Sequence, residues 1–87
     1  MEINNIQIFP IRQEGSLMAF GSFESGCLRI SGIALHTKKD GGLRSVFPAK
    51  RVGSGYVYYC QPLNQETSEE VDTAFEEKAK EIGLFNL

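Results

Sequence analysis

Leu43-Arg44-Ser45-Val46-Phe47-Pro48-Ala49-Lys50-Arg51-Val52-Gly53-Ser54-Gly55-Tyr56-Val57-Tyr58-Tyr59-Cys60-Gln61-Pro62-Leu63-Asn64 is the stretch on which the reading of this chain turns. Ser45-Val46-Phe47 is strand-like and runs into Pro48, which has no N–H for a ladder and so ends a strand or sits at a sheet edge. Gly53-Ser54-Gly55 is a turn signal, and Tyr56 to Gln61 returns with β-favouring residues until Pro62 stops it. Leu43 to Phe47 and Tyr56 to Gln61 are therefore expected to pair as a hairpin. The basic step Lys50-Arg51 would lie at its proline-marked end, with tyrosines on the returning strand.

Upstream, Ile3 to Ile11 alternates as a strand, with Ile6 and Ile8 on one face and Gln7, Phe9 and Ile11 on the other. Pro10 suggests a strand end or an edge, and Arg12 to Ser16 reads as a turn. Leu17 to Glu24 and Cys27 to His36 read as a hairpin closed by Ser25-Gly26. That loop sets Phe23 opposite Leu28, Gly21 opposite Ile30, Ala19 opposite Gly32 and Leu17 opposite Ala34. Ala19, Gly21, Gly32 and Ala34 would then form a shallow trough for a helix. Met18, Phe20, Ile33 and Leu35 would fall on the opposite face, together with Ser22, Glu24 and Arg29. One helix covers one face of a small sheet, so the apolar end of that second face calls for another cover, and a second subunit is the simplest. Asp40-Gly41 marks the next turn.

Downstream, Thr67 to Ile82 is the one helix. Thr67 and Glu70 have capping-box spacing, and Val71, Ala74, Phe75, Lys78, Ala79 and Ile82 share a face. Acids fill its first turn and Lys78 and Lys80 lie near its end, as the macrodipole favours. Gly83 is placed for a C-cap, with Leu84 folding back; Phe85-Asn86-Leu87 are left to dock or fray. The fold class is α+β: a small antiparallel sheet of about five strands followed by one C-terminal helix, in a single domain over residues 1–87.

Eighty-seven residues bury limited surface, so a dimer sharing apolar area is a common remedy. The net charge of −2 hides an asymmetry. Between residues 29 and 51 stand Arg29, Lys38, Lys39, Arg44, Lys50 and Arg51 against Asp40 alone. From residue 66 onward seven acids face only Lys78 and Lys80. Such asymmetry marks either a surface for a polyanion or two ordinary solvated faces. No apolar run approaches the roughly 20 residues a membrane span needs. Cys27 and Cys60 lie far apart, without a His cluster, which argues against zinc. With no leader-like segment, they point to reduced thiols and a cytoplasmic protein.

Catalysis needs converging acid, base or nucleophile, and the chain offers little. His36, the single histidine, reads as a strand-end residue rather than a base, Cys60 as a packing residue within a strand, and Cys27 likewise. The helix acids read as a solvated face. Gly53-Ser54-Gly55 lies between strands and opens no helix with a Lys-Ser/Thr step, so it is no phosphate loop. The expectation is a non-enzyme without metal, cofactor or small-molecule substrate. Nucleic-acid binding needs positive charge spread along a surface, and Lys38, Lys39, Arg44, Lys50 and Arg51 supply it. Tyr56, Tyr58 and Tyr59 either stack on bases or pack in the core or an interface.

Phe47-Pro48-Ala49-Lys50-Arg51 and Gln61-Pro62-Leu63-Asn64, in that order and at that separation, resemble the SpoVG family of bacterial septation and sporulation regulators. The resemblance spans about residues 3 to 75. The family's proline–small–basic step falls on Pro48-Ala49-Lys50, with Arg51 as the next base, and its proline–aliphatic–Asn signature on Pro62-Leu63-Asn64. Gln61 stands where the family usually has His, and Ala49 where it has Ser. The resemblance implies a homodimeric α+β regulator that binds DNA, and in some members RNA, with Lys50 and Arg51 inheriting the contact role. The acidic helix, with no basic tail behind it, departs from any binding mode that uses the helix. The alternative is a protein–protein adaptor in cell division or envelope regulation, docking a partner through an exposed strand edge or its tyrosines.

Overall fold

The structure is a computed structural model and describes residues 1–84; Phe85-Asn86-Leu87, whose docking or fraying the sequence leaves open, lie outside the described residues. Its elements are β1 (Asn4–Glu14), β2 (Leu17–Ser25), β3 (Leu28–Thr37), β4 (Leu43–Val46), β5 (Ala49–Val52), β6 (Gly55–Tyr58) and α1 (Gln65–Glu81). β1-β2-β3-β4 form one antiparallel sheet, and β5-β6 form a separate two-stranded ribbon. The α+β class, the antiparallel strands and the single C-terminal helix stand as expected.

β1 runs through Pro10 to Glu14, into the residues expected to form a turn. It can do so because it is an edge strand, where a missing N–H need not break a ladder. Ile6 and Ile8 pack towards the core, while Phe9 and Ile11 on the alternate face are exposed.

The β2–β3 hairpin corrects the expected register. Its turn is Gly26-Cys27, with Ser25 opposite Leu28 and Phe23 opposite Ile30. Immediately after that pair, Ser31 and Gly32 together oppose Ser22, so Gly21 meets Ile33 and Ala19 meets Leu35. This is a β-bulge, and Gly32 adopts φ +73° within it. An extra residue reverses side-chain alternation beyond it. Ile33 and Leu35, expected on the second face, thereby turn inward and are fully buried. A Cβ at Gly32 would find nothing closer than Pro48 Cβ at 4.0 Å, so the demand for glycine there is conformational. Gly32→Ala is expected to cost about 1–2 kcal/mol, and Gly32→Asn less, since Asn tolerates the left-handed region. Urea denaturation midpoints of both variants check this, and equal losses would contradict it.

Ala19, Phe23, Ile33, Leu35, Leu43 and Phe47 from the sheet meet Val71, Phe75 and Ala79 from α1 in a single core. The Phe23 ring is edge-on to both Phe47 and Phe75, at centroid distances of 6.5 and 6.1 Å. The expected trough is half right. Gly21 lies under the helix, where a Cβ would come within 2.4 Å of Phe75 Cε1, whereas Gly32 does not. Along the helix Val71, Phe75 and Ala79 are buried and Ala74 half-buried, but Ile82 is 47% exposed.

The helix begins earlier than the Thr67–Glu70 spacing suggests. Asn64 is the N-cap, and its side-chain oxygen accepts the Thr67 N–H at 2.8 Å, satisfying one orphan donor of the first turn. At the other end Gly83 N–H donates to Lys80 O and Leu84 N–H to Ala79 O. That is the Schellman pattern, and Leu84 folds back onto the core as expected.

β4 is held on both sides. Leu35 and Thr37 of β3 lie opposite Ser45 and Leu43. On the free edge, the Leu43 N–H donates to Glu76 at 2.8 Å and the Ser45 N–H to Asp72 at 2.8 Å. The Ser45 hydroxyl also donates to Asp72. Two of the acids expected to be merely solvated thus bind the helix to the sheet edge.

Candidate nucleic-acid interface

Pro48 separates two strands instead of ending a hairpin arm. Leu43–Val46 pairs with β3, and the partner of Gly55–Tyr58 is Ala49–Val52, which is a correction to the expected Leu43–Phe47 pairing. The turn is the two-residue Gly53-Ser54; Gly-Ser between short strands is itself a hairpin signal. With that loop the register follows: Ala49 opposite Tyr58, Lys50 opposite Val57, Arg51 opposite Tyr56 and Val52 opposite Gly55. Tyr59 N–H donates to Pro48 O at 3.2 Å and closes the base of the ribbon.

All eight residues of the ribbon are exposed. Side chains alternate along a strand, so its faces differ. Arg51, Tyr56, Tyr58 and Ala49 share one face; Lys50, Val52 and Val57 share the other. Lys50 and Arg51, expected as one basic step, therefore point in opposite directions. The tyrosines are 67%, 45% and 71% exposed at Tyr56, Tyr58 and Tyr59, which excludes core packing.

At the base of the ribbon the Arg51 face opens into a groove of about 600 Å³ between β4, the ribbon and the start of α1. Arg44, Tyr58, Gln61, Asn64, Gln65 and Ser68 line it, over a floor that includes Phe47. The Gln61-Pro62-Leu63-Asn64 signature is one wall, and Leu63 at its crest is 93% exposed. Sequence reasoning found Arg44 and Arg51 but missed Tyr58 and Gln61 as neighbours of Arg44. The Gly53-Ser54 loop length was the available signal for Tyr58.

Arg44 projects from the sheet face opposite the helix, since its neighbours Leu43 and Ser45 face inward. His36 lies opposite it in the β3–β4 register, and its Nδ1 shares a 2.9 Å hydrogen bond with Ser16 Oγ. Lys38 and Lys39 stand in the turn between these strands, which is closed by Lys38 N–H to Gly42 O and Gly42 N–H to Asp40. Lys38, Lys39, Arg44, Lys50 and Arg51 are all exposed. Among the described residues, the ion pairs within 4 Å join Met1 to Glu70, Arg29 to Glu24 and Lys78 to Glu81, and none involves these five. The five do not form one patch: Arg44 lines the groove, Arg51 stands further along the same ribbon face as Tyr58, Lys50 lies on the reverse face, and Lys38 and Lys39 stand at the far end of β4.

Cys60 lies past the end of β6 rather than inside a strand; it and Cys27, in the β2–β3 turn, are exposed free thiols. The expected packing role of both is thereby corrected. At the distant hairpin end, hydrogen bonds from Arg29 and then Asn5 hold the Glu24 carboxyl below its ordinary range. Among the described residues, no cluster of three or more His, Cys, Asp or Glu is arranged to hold a metal ion. No described helix is long and apolar enough to cross a membrane. No family model, curated protein or solved structure matches the chain.

Proposed function

We propose that this protein is a nucleic-acid-binding regulator of the septation and sporulation type, acting by occupancy in the cytoplasm and without catalysis. One observation carries the reading: Arg44 lines the groove and Arg51 shares a ribbon face with Tyr56 and Tyr58, and both arginines are exposed beside exposed tyrosines, with no carboxylate partner among the described residues. Guanidinium groups without internal partners suit phosphate oxygens, and their neutralisation of phosphates releases counterions. Lys38, Lys39 and Lys50 add a longer-range positive field. Arg44 projects from the sheet face that the helix does not cover, and the nearby helix acids Asp72 and Glu76 accept hydrogen bonds from the β4 backbone. The resemblance of the Pro48-Ala49-Lys50 and Pro62-Leu63-Asn64 motifs to the SpoVG family supports the same reading.

A homodimer belongs to the proposal. Phe9, Phe20, Ala34 and Val46 line up across all four strands of the sheet, on the face without the helix, and Phe9 and Phe20 are 54% and 39% exposed. This row replaces Ile33 and Leu35 as the apolar surface that a second copy would cover. The adaptor reading is favoured by a different observation. The outer edges of β1, β5 and β6 pair with no strand among the described residues, and such edges accept partner strands.

Titration of a labelled oligonucleotide at several salt concentrations tests the proposal. Binding is expected to weaken steeply with salt, and an Arg44→Ala/Arg51→Ala variant to lower the salt slope by about 1.5–2. An unchanged slope would remove these arginines from the interface. No nucleic-acid binding at low salt, with salt-insensitive capture of a protein partner, would favour the adaptor.

A further inference from the structure

Resting on the nucleic-acid reading above, we infer that the ligand is single-stranded, and that its bases stack on Tyr56 and Tyr58 while Arg44 and Arg51 hold its phosphates. Tyr56 and Tyr58 are two residues apart on one strand and so project from the same ribbon face. At about 3.4 Å per residue their Cα atoms lie about 6.8 Å apart along the strand. Bases within a duplex are stacked about 3.4 Å apart on each strand. The Cα atoms that carry the two rings are therefore spaced at twice the stacking distance, room for one base between the side chains and a neighbour beyond. Bases can take such positions only when pulled out of their stack. A single strand offers them freely, whereas a duplex must first be unstacked and unpaired.

Charge and shape agree with this ligand. Arg51 is directly opposite Tyr56, and Arg44 lines the same groove as Tyr58. Each ring thus has a guanidinium beside it for the phosphate of the nucleotide it stacks. The groove, at about 600 Å³, falls within the size range of about 300–1,000 Å³ typical of small-ligand sites, enough for a nucleotide unit. Gln61, in its wall, adds an amide that can donate to and accept from a base edge. Lys50 and Val57 lie on the reverse of the ribbon and take no part in stacking.

The chain has three tyrosines, all at or beside the ribbon, and no tryptophan. Its intrinsic fluorescence therefore reports directly on this surface. The experiment titrates the full-length protein with oligouridylate, oligothymidylate and a duplex DNA of equal length, reading tyrosine quenching and the anisotropy of a labelled strand. The expected result is tighter binding of the single strands than of the duplex, with quenching. Tyr56→Ala and Tyr58→Ala should each weaken single-strand binding about 5- to 100-fold, while the Tyr→Phe variants keep it. Exposed tyrosines can be replaced without threatening the core, and circular dichroism of each variant verifies folding. Duplex bound as tightly as single strands, with the alanine variants unaffected, would overturn this inference and leave the regulator standing. Absence of binding to all three probes would sink both. Alanine variants that dissociate a dimer in sedimentation, with nucleic-acid affinity unchanged, would make the ribbon a subunit contact and also overturn it.

Discussion

Replacing Gly21 with Ala is expected to destabilise the protein by about 1–3 kcal/mol, although only one methyl group is added. The added carbon would sit 2.4 Å from Phe75 Cε1 and 2.8 Å from Cζ, well inside van der Waals contact. The ring cannot simply swing away, because it is 1% exposed and packed edge-on to Phe23. Removing the ring instead, in Phe75→Ala, is expected to cost about 3–5 kcal/mol through lost transfer energy and a cavity. The two effects share one space, so they should not add. In a double-mutant cycle, Gly21→Ala combined with Phe75→Leu is expected to be less destabilised than the sum of the single variants. Urea denaturation of the four proteins measures this. Strict additivity would mean that the helix does not rest on Gly21.

The second large effect concerns the β4 edge. Asp72 and Glu76 are one helical turn apart, and each accepts a hydrogen bond from an outward-facing N–H of β4. Truncating either to Ala leaves a partly buried backbone donor without its acceptor, at a cost of about 1–3 kcal/mol. The double alanine variant should lose more than either single one. It should also self-associate, since an uncovered edge strand is a template for pairing with another chain. Asp72→Asn keeps an oxygen acceptor and should be the mildest change. Denaturation midpoints measure the stability loss, and light scattering measures the association. A double variant that stays as stable as the parent would show that α1 is held by its apolar face alone.

These two contacts mark how far the sequence could be read. The strand identity of β1 and β2, the turn at Asp40-Gly41, the α1 periodicity and the Gly83–Leu84 cap were all legible. Each rests on residues within a few positions of one another, where spacing and backbone preference act directly. The basic residues and tyrosines of the candidate interface were legible as residue types for the same reason. Their arrangement was not. Lys50 and Arg51 are adjacent in sequence and opposed in space, because a strand alternates its side chains; seeing this required knowing that Ala49–Val52 is a strand.

What the sequence determined by itself is the class of the fold, an antiparallel α+β domain closed by one amphipathic helix, and the concentration of positive charge and aromatic rings between residues 38 and 59. Tertiary structure decided the rest. Leu43–Val46 presents an edge to two possible partners, and β3 takes it because Leu43 and Phe47 are then buried against the helix. That choice leaves Ala49–Tyr58 to fold on itself as a free ribbon, with its tyrosines exposed. The bulge at Gly32 turned Ile33 and Leu35 into core residues, and Asp72 and Glu76 became edge anchors only when the helix lay along β4. Each outcome depends on which segments meet, and burial of apolar surface between residues distant in sequence settles that, beyond the reach of any local pattern.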